Sequence, residues 1–160
     1  MRNFRITLFV LVISTCIFSV WSCNPDRIYV SHVDPPGNLE WDKRDALSFD
    51  VEIIDTSIKY DLFLAFRHAV GYPFSACSIQ IVEKFPDGEI LEHYLTLKLA
   101  ENNSYISDCA GDICDLEELW QENRRFEVPG IYHYEITHDM SAEKLQMVME
   151  VGMIVEKVKP

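Results

Sequence analysis

Between residues 47 and 53, Leu47, Phe49, Val51 and Ile53 alternate with Ser48, Asp50 and Glu52. A period of two sends neighbouring side chains to opposite faces, so this segment predicts a strand with one buried and one wet face. The run from Tyr60 to Phe66 differs: Tyr60, Leu62, Leu64 and Phe66 fill one face, while Phe63 and Ala65 leave the other largely apolar. It predicts a strand covered on both faces, in the middle of a sheet. After Gly71-Tyr72-Pro73 the alternation resumes at Cys77, Ile79 and Ile81, and Phe85-Pro86-Asp87-Gly88 closes it. Pro fixes φ, Asp caps with its side chain and Gly tolerates positive φ, so a hairpin turn and an antiparallel partner follow. That partner carries Leu91, Leu95, Leu97 and Leu99 on one face.

Behind the Pro129-Gly130 turn, Tyr132, Tyr134, Ile136 and His138 line a further strand, and Leu145, Met147, Met149, Val151, Met153 and Val155 predict the last one. At the other end, Arg27 to Val33 is rich in strand formers and Asp34-Pro35-Pro36-Gly37 breaks it. Trp41 is expected to pack on the domain. Ala100 to Ser107 is polar and turn-like. Asp115-Leu116-Glu117-Glu118 predicts the start of a short helix, with Asp115 as cap and Glu118 three residues on completing a capping box. Seven or eight short strands separated by turns point to an all-β fold, an antiparallel β-sandwich of immunoglobulin-like or jelly-roll-like type. The expected organisation is a signal segment at 1–22, a tether and opening strand at 23–40, and the sandwich at 41–160. No internal repeat or second domain is evident.

Charge narrows the choice of partner. The 14 Lys and Arg face 26 Asp and Glu, a net −12 that falls to −14 once the two charges of Arg2 and Arg5 are removed. Nucleic acid is excluded as a partner, since neutralising phosphates needs a basic face, and so is electrostatic docking on anionic lipid.

The N-terminus has its own chemistry. Arg2 and Arg5 form a basic region, Ile6 to Val20 is almost unbroken apolar sequence, and Val20-Trp21-Ser22-Cys23 ends it. This pattern resembles a bacterial lipoprotein signal peptide. The resemblance implies cleavage before Cys23, a diacylglyceride joined to Cys23 by a thioether, and acylation of the new amino terminus. An uncleaved anchor is the other reading, although the run falls short of the roughly 20 residues that span hydrocarbon. Each buried methylene adds about 0.8 kcal/mol, so several acyl chains would hold the domain at the membrane.

Candidate chemistry in the remainder is sparse. Cys109 and Cys114 are separated by four residues in a loop, and are read either as free or structural thiols or as a small disulfide; a zinc pair would need two further ligands. Cys77 shares the apolar face of Ile79 and Ile81. His133 and His138 lie five apart on one strand and face opposite sides. Asp108, Asp112 and Asp115 lack EF-hand spacing. Ser75 lacks the flanking glycines of a nucleophile elbow, and no glycine-rich phosphate loop occurs. Neither a catalytic residue nor a cofactor beyond the lipid on Cys23 is expected. Trp41, Arg67, Tyr72 and Phe74 are the candidates for contact with a partner, and aromatics such as Tyr72 and Trp41 could make a sugar- or peptide-binding platform.

Several stretches, in order, resemble the GldH family of gliding-motility lipoproteins. They are Cys23 with Arg27-Ile28-Tyr29, Trp41 before Lys43, Leu47 to Val51, Tyr60 to His68 leading to Tyr72-Pro73-Phe74-Ser75, and Phe85-Pro86-Asp87-Gly88. The likeness continues through Gly111-Asp112-Ile113, Leu119-Trp120 and Gly130-Ile131-Tyr132 to His138-Asp139-Met140. It departs at Ser141, where a basic residue is expected, and at Cys109 and Cys114. The resemblance implies a membrane-anchored accessory component of the gliding machinery, linked to type IX secretion, without catalytic residues. Its partners would be other envelope proteins of that machinery.

Overall fold

The computed structural model describes residues 24–102 and 104–159. The predicted signal segment and the lipidation site Cys23 lie outside them. The described chain forms thirteen strands: β1 (Arg27–Val33), β2 (Glu40–Asp42), β3 (Leu47–Ile53), β4 (Tyr60–Ala69), β5 (Ala76–Lys84), β6 (Ile90–Lys98), β7 (Ala100–Glu101), β8 (Ser104–Tyr105), β9 (Asp108–Ala110), β10 (Ile113–Arg124), β11 (Gly130–His138), β12 (Lys144–Gln146) and β13 (Val148–Lys157). Two antiparallel sheets, ordered β1-β13-β4-β10-β9 and β3-β11-β5-β6, make the sandwich. Short ribbons β2-β12 and β7-β8 close one end.

Alternation accounts for most of this. In β3, Leu47, Phe49, Val51 and Ile53 are buried and the residues between them exposed. Strand β4 sits mid-sheet and buries Tyr60, Leu62, Leu64 and Phe66 on the core face, with Ala65 buried on the other. Strands β4 and β5 lie in opposite sheets, so the chain crosses the sandwich at the Gly71-Tyr72-Pro73 loop. The Phe85–Gly88 segment is a hairpin turn: Gly88 N–H donates to Phe85 O at 3.0 Å and Gly88 has φ 94°.

Two elements depart from the expectation. Residues 115–118 are not helical. They lie in β10, which pairs with β4 from Ile113↔Ala69 onward, and strand geometry turns Asp115 toward Arg67 and Glu117 toward Arg27. Long-range backbone pairing and two ion pairs outweigh a local capping box. The last strand is also not continuous. Met147 has φ 67° and is exposed, so burial shifts from Leu145 to Val148, and a bulge before Glu150 restores the original phase at Val151.

At the end closed by the ribbons, Trp41 and Leu145 face each other across β2-β12 and are fully buried. The Trp41 indole N–H donates to Asp45 O at 2.9 Å, and its ring stands edge-on to His138 at 5.2 Å. His138 Nε2 donates to Trp41 O at 3.1 Å, which leaves Nδ1 buried without a partner. Burial therefore depresses the His138 pKa below its ordinary 6.5. The unfolded chain takes up this proton more readily, so the contribution of neutral His138 is complete above about 6.5 and lost as pH falls below it. Between about pH 7.5 and about pH 5.5, the native chain is expected to lose more unfolding free energy in urea than His138→Gln, which keeps a donor for Trp41. Equal losses would refute the assignment.

Candidate functional site

Because the sheets are open, one edge of the sandwich runs between β6 and β10. A cleft of about 490 Å³ lies there, floored by Phe85, Phe126 and Tyr132 and bordered by Leu91. Its back wall is a buried polar cluster. Glu83 follows Cys77, Ile79 and Ile81 on the inward face of β5 and is fully buried. A buried carboxylate needs donors on both oxygens, and Glu83 has them. Arg124 forks onto Oε1 and Oε2 at 2.5 and 2.9 Å, the Tyr134 hydroxyl donates to Oε1 at 2.9 Å, and His93 Nε2 lies 2.9 Å from Oε2.

Aromatic rings hold this cluster in place. The Arg124 guanidinium is 4.5 Å from the Phe126 ring centroid, and Phe126 meets Tyr132 edge-on at 4.6 Å. Trp120 stands edge-on to His93 at 5.2 Å, with its indole nitrogen buried and unpartnered. Burial, then the Glu83 charge, push the Tyr134 hydroxyl far above the ordinary phenol range, so it stays a donor. Arg124 has its fork on Glu83 and its face on Phe126, and thus braces the wall. Asp87, Glu89, Glu122 and Glu127 stand around the cleft against Arg125. An acidic rim over an aromatic floor suits a cationic or amphipathic side chain.

The residues singled out from sequence do not converge here. Trp41 and Tyr72 are buried in the core, so neither ring offers a surface platform. Phe74 is half-buried, edge-on to Tyr72 at 5.7 Å. Arg67 lies on the outer face of the first sheet, where its Nε meets Asp115 at 2.6 Å and its Nη1 meets Glu150 at 2.7 Å. Asp115 and Glu150 raise its pKa further, so it stays charged. Cys109 and Cys114 face each other across β9-β10 and form a disulfide. Cys77 is a buried free thiol, pushed up to about 11 by desolvation, which keeps it protonated and unreactive. Among the described residues no group of three or more His, Cys, Asp or Glu is placed to hold a metal ion. No described helix is long and apolar enough to cross a membrane.

Sequence reasoning missed the Glu83 cluster. One signal was available: an acid at the inward phase of β5 must find partners.

Compared with known proteins, the chain matches the GldH lipoprotein family over residues 28–155, most of its length and nearly all of the sandwich. The chain belongs to the GldH lipoprotein family. It is similar to a "Gliding motility lipoprotein GldH homolog" of Christiangramia forsetii, 25% identical over 94% of this chain and 95% of the relative. It is also similar to the "Gliding motility lipoprotein GldH" of Flavobacterium johnsoniae, 22% identical over 86% of this chain and 89% of that one. Among solved structures, chains of two strains of infectious bursal disease virus, Gx and Gt, match at TM-scores of 0.31 and 0.30 with 12% and 13% identity. These matches cover 79% of this chain and 31% of the viral chains, and carry no argument about function. The family match spans the strands that build the Glu83 wall, β5, β6, β10 and β11.

Proposed function

We propose that this protein is a lipid-anchored, non-catalytic accessory component of the gliding-motility machinery in the cell envelope, linked to type IX secretion, and that it works by contact with other envelope proteins. The observation that carries the reading is the family match across residues 28–155, together with the gliding-motility names of both relatives. The lipobox at Val20 to Cys23 supports membrane attachment through acyl chains on Cys23. The folded body supports a role in contact: its sheet edges and the cleft at β6 and β10 are surfaces to which another protein can bind.

The test is deletion and complementation in a strain that glides and secretes type IX cargo. Deletion is expected to abolish surface spreading and reduce cargo secretion. The native gene restores both; Cys23→Ala moves the protein out of the membrane fraction and does not. Normal spreading and secretion in the deletion strain would overturn the reading.

A further inference from the structure

At the end of the sandwich away from Asn24, Leu39, Val70, Ile106, Ile113 and Met147 are each between 38% and 46% exposed. Backbone hydrogen bonds join their segments into one surface. Met147 N–H donates to Leu39 O at 2.7 Å, Ala69 N–H to Met147 O at 2.9 Å, and Val70 N–H to Asp112 O at 2.9 Å. Ile113 pairs with Ala69, and Gly71 N–H donates to the Tyr105 hydroxyl at 2.8 Å, which brings the neighbouring Ile106 to the same end.

Backbone conformation sets two of these residues apart. Leu39 and Met147 have φ of 54° and 67°, a region that side-chain-bearing residues enter only at an energetic cost. Glycine would remove the cost at either site. Their neighbours Trp41, Leu145 and Val148 already fill the core, so the strain positions two large apolar side chains that stay 45% and 38% exposed beside it.

Charge indicates what fits over them. The cations at this end are already paired: Lys144 with Glu40, Lys98 with Glu101, and Arg67 with Asp115 and Glu150. Asp34, Asp108 and Asp112 form no ion pair among the described residues. The apolar patch therefore has a negative rim. A second copy would bring the same rim against it, and an anionic bilayer would be repelled.

Position completes the argument. Asp26 accepts from Lys157 N–H at 2.8 Å and its carboxylate meets Lys159 at 2.9 Å, so the chain is tied to the body immediately after Cys23. Strand β1, seven residues and roughly 23 Å long, separates that point from the patch. From these observations we infer that the tip formed by Leu39, Val70, Ile106, Ile113 and Met147 docks a different envelope protein, through an apolar projection of that protein flanked by Lys or Arg. The inference rests on the envelope-anchored reading and is independent of gliding.

The test uses the full lipoprotein in intact cells, with a photoreactive amino acid at Val70 or, as control at the anchored end, at Ile54. Irradiation is expected to give a heteromeric adduct from Val70 and none from Ile54, and mass mapping of the adduct to place the partner's cross-linked segment beside basic residues. The paired change Leu39→Gly and Met147→Gly is expected to leave the thermal midpoint unchanged or raised while reducing the adduct about tenfold, the effect of losing an interface anchor. Asp108→Asn with Asp112→Asn reduces it as well. A homodimer, a lipid adduct, equal labelling at Ile54, no adduct at all, or an undiminished adduct in the glycine variant would each overturn the inference. Any of these with intact gliding phenotypes leaves the family role standing, whereas a deletion strain with normal spreading and secretion refutes that role and not the tip.

Discussion

Replacing Arg124 with methionine is expected to lower the free energy of unfolding by about 3–5 kcal/mol. The substitution keeps much of the aliphatic volume against Phe126 but removes two donors from a carboxylate with no exposed surface. Glu83 retains only the Tyr134 hydroxyl and His93, which cannot replace a guanidinium fork. The loss should therefore come from an uncompensated buried charge more than from packing. A double-mutant cycle with Glu83→Leu separates the two: because the pair acts as a unit, the double variant should be far more stable than the summed single losses imply. Urea midpoints of the four proteins decide the matter, and strictly additive losses would show that the pair is not coupled.

Trp41→Ala is the second large effect, about 3–5 kcal/mol, from deleting a fully buried indole whose site is walled by His138 and Leu145. The damage should be concentrated at one end. Trp41 supplies the inward side chain of β2, so amide exchange in Glu40–Asp42 and Lys144–Gln146 is expected to accelerate before the central strands respond. Trp41→Phe should recover part of the loss. A stable Trp41→Ala protein that failed only in partner binding would instead make the residue a contact, the role its aromatic ring offers on sequence grounds.

Strands β3, β5 and β11 were legible because each keeps strict alternation against a single core. The hairpin at Phe85–Gly88 was legible because its turn residues act locally. Strand β10 was hidden by its own first residues, since Asp115-Leu116-Glu117-Glu118 satisfies a local helix rule and only β4 supplies the competing partner. Within the candidate site, Glu83 could be read from its phase. Arg124 could not: irregular pairing between Leu119 and Gln121, and again between Gln121 and Arg124, destroys the parity that would have aimed it inward. The tip was unreadable for another reason. Leu39 and Met147 look like ordinary apolar residues, and their backbone angles depend on a ribbon formed by segments more than a hundred residues apart.

The attachment of Asp26 to Lys157 and Lys159 also has a mechanical side. Arg27 binds Glu156 and Glu117, and the latter pair links β1 to β10 across β13 and β4 on the outer face of the sheet. A pull between Asp26 and the tip would run along the axis of β1, loading its bonds to β13 side by side instead of opening them one at a time. Traction on such a strand is resisted by the whole ladder at once, so this end of the domain should withstand a greater load than one peeled open bond by bond.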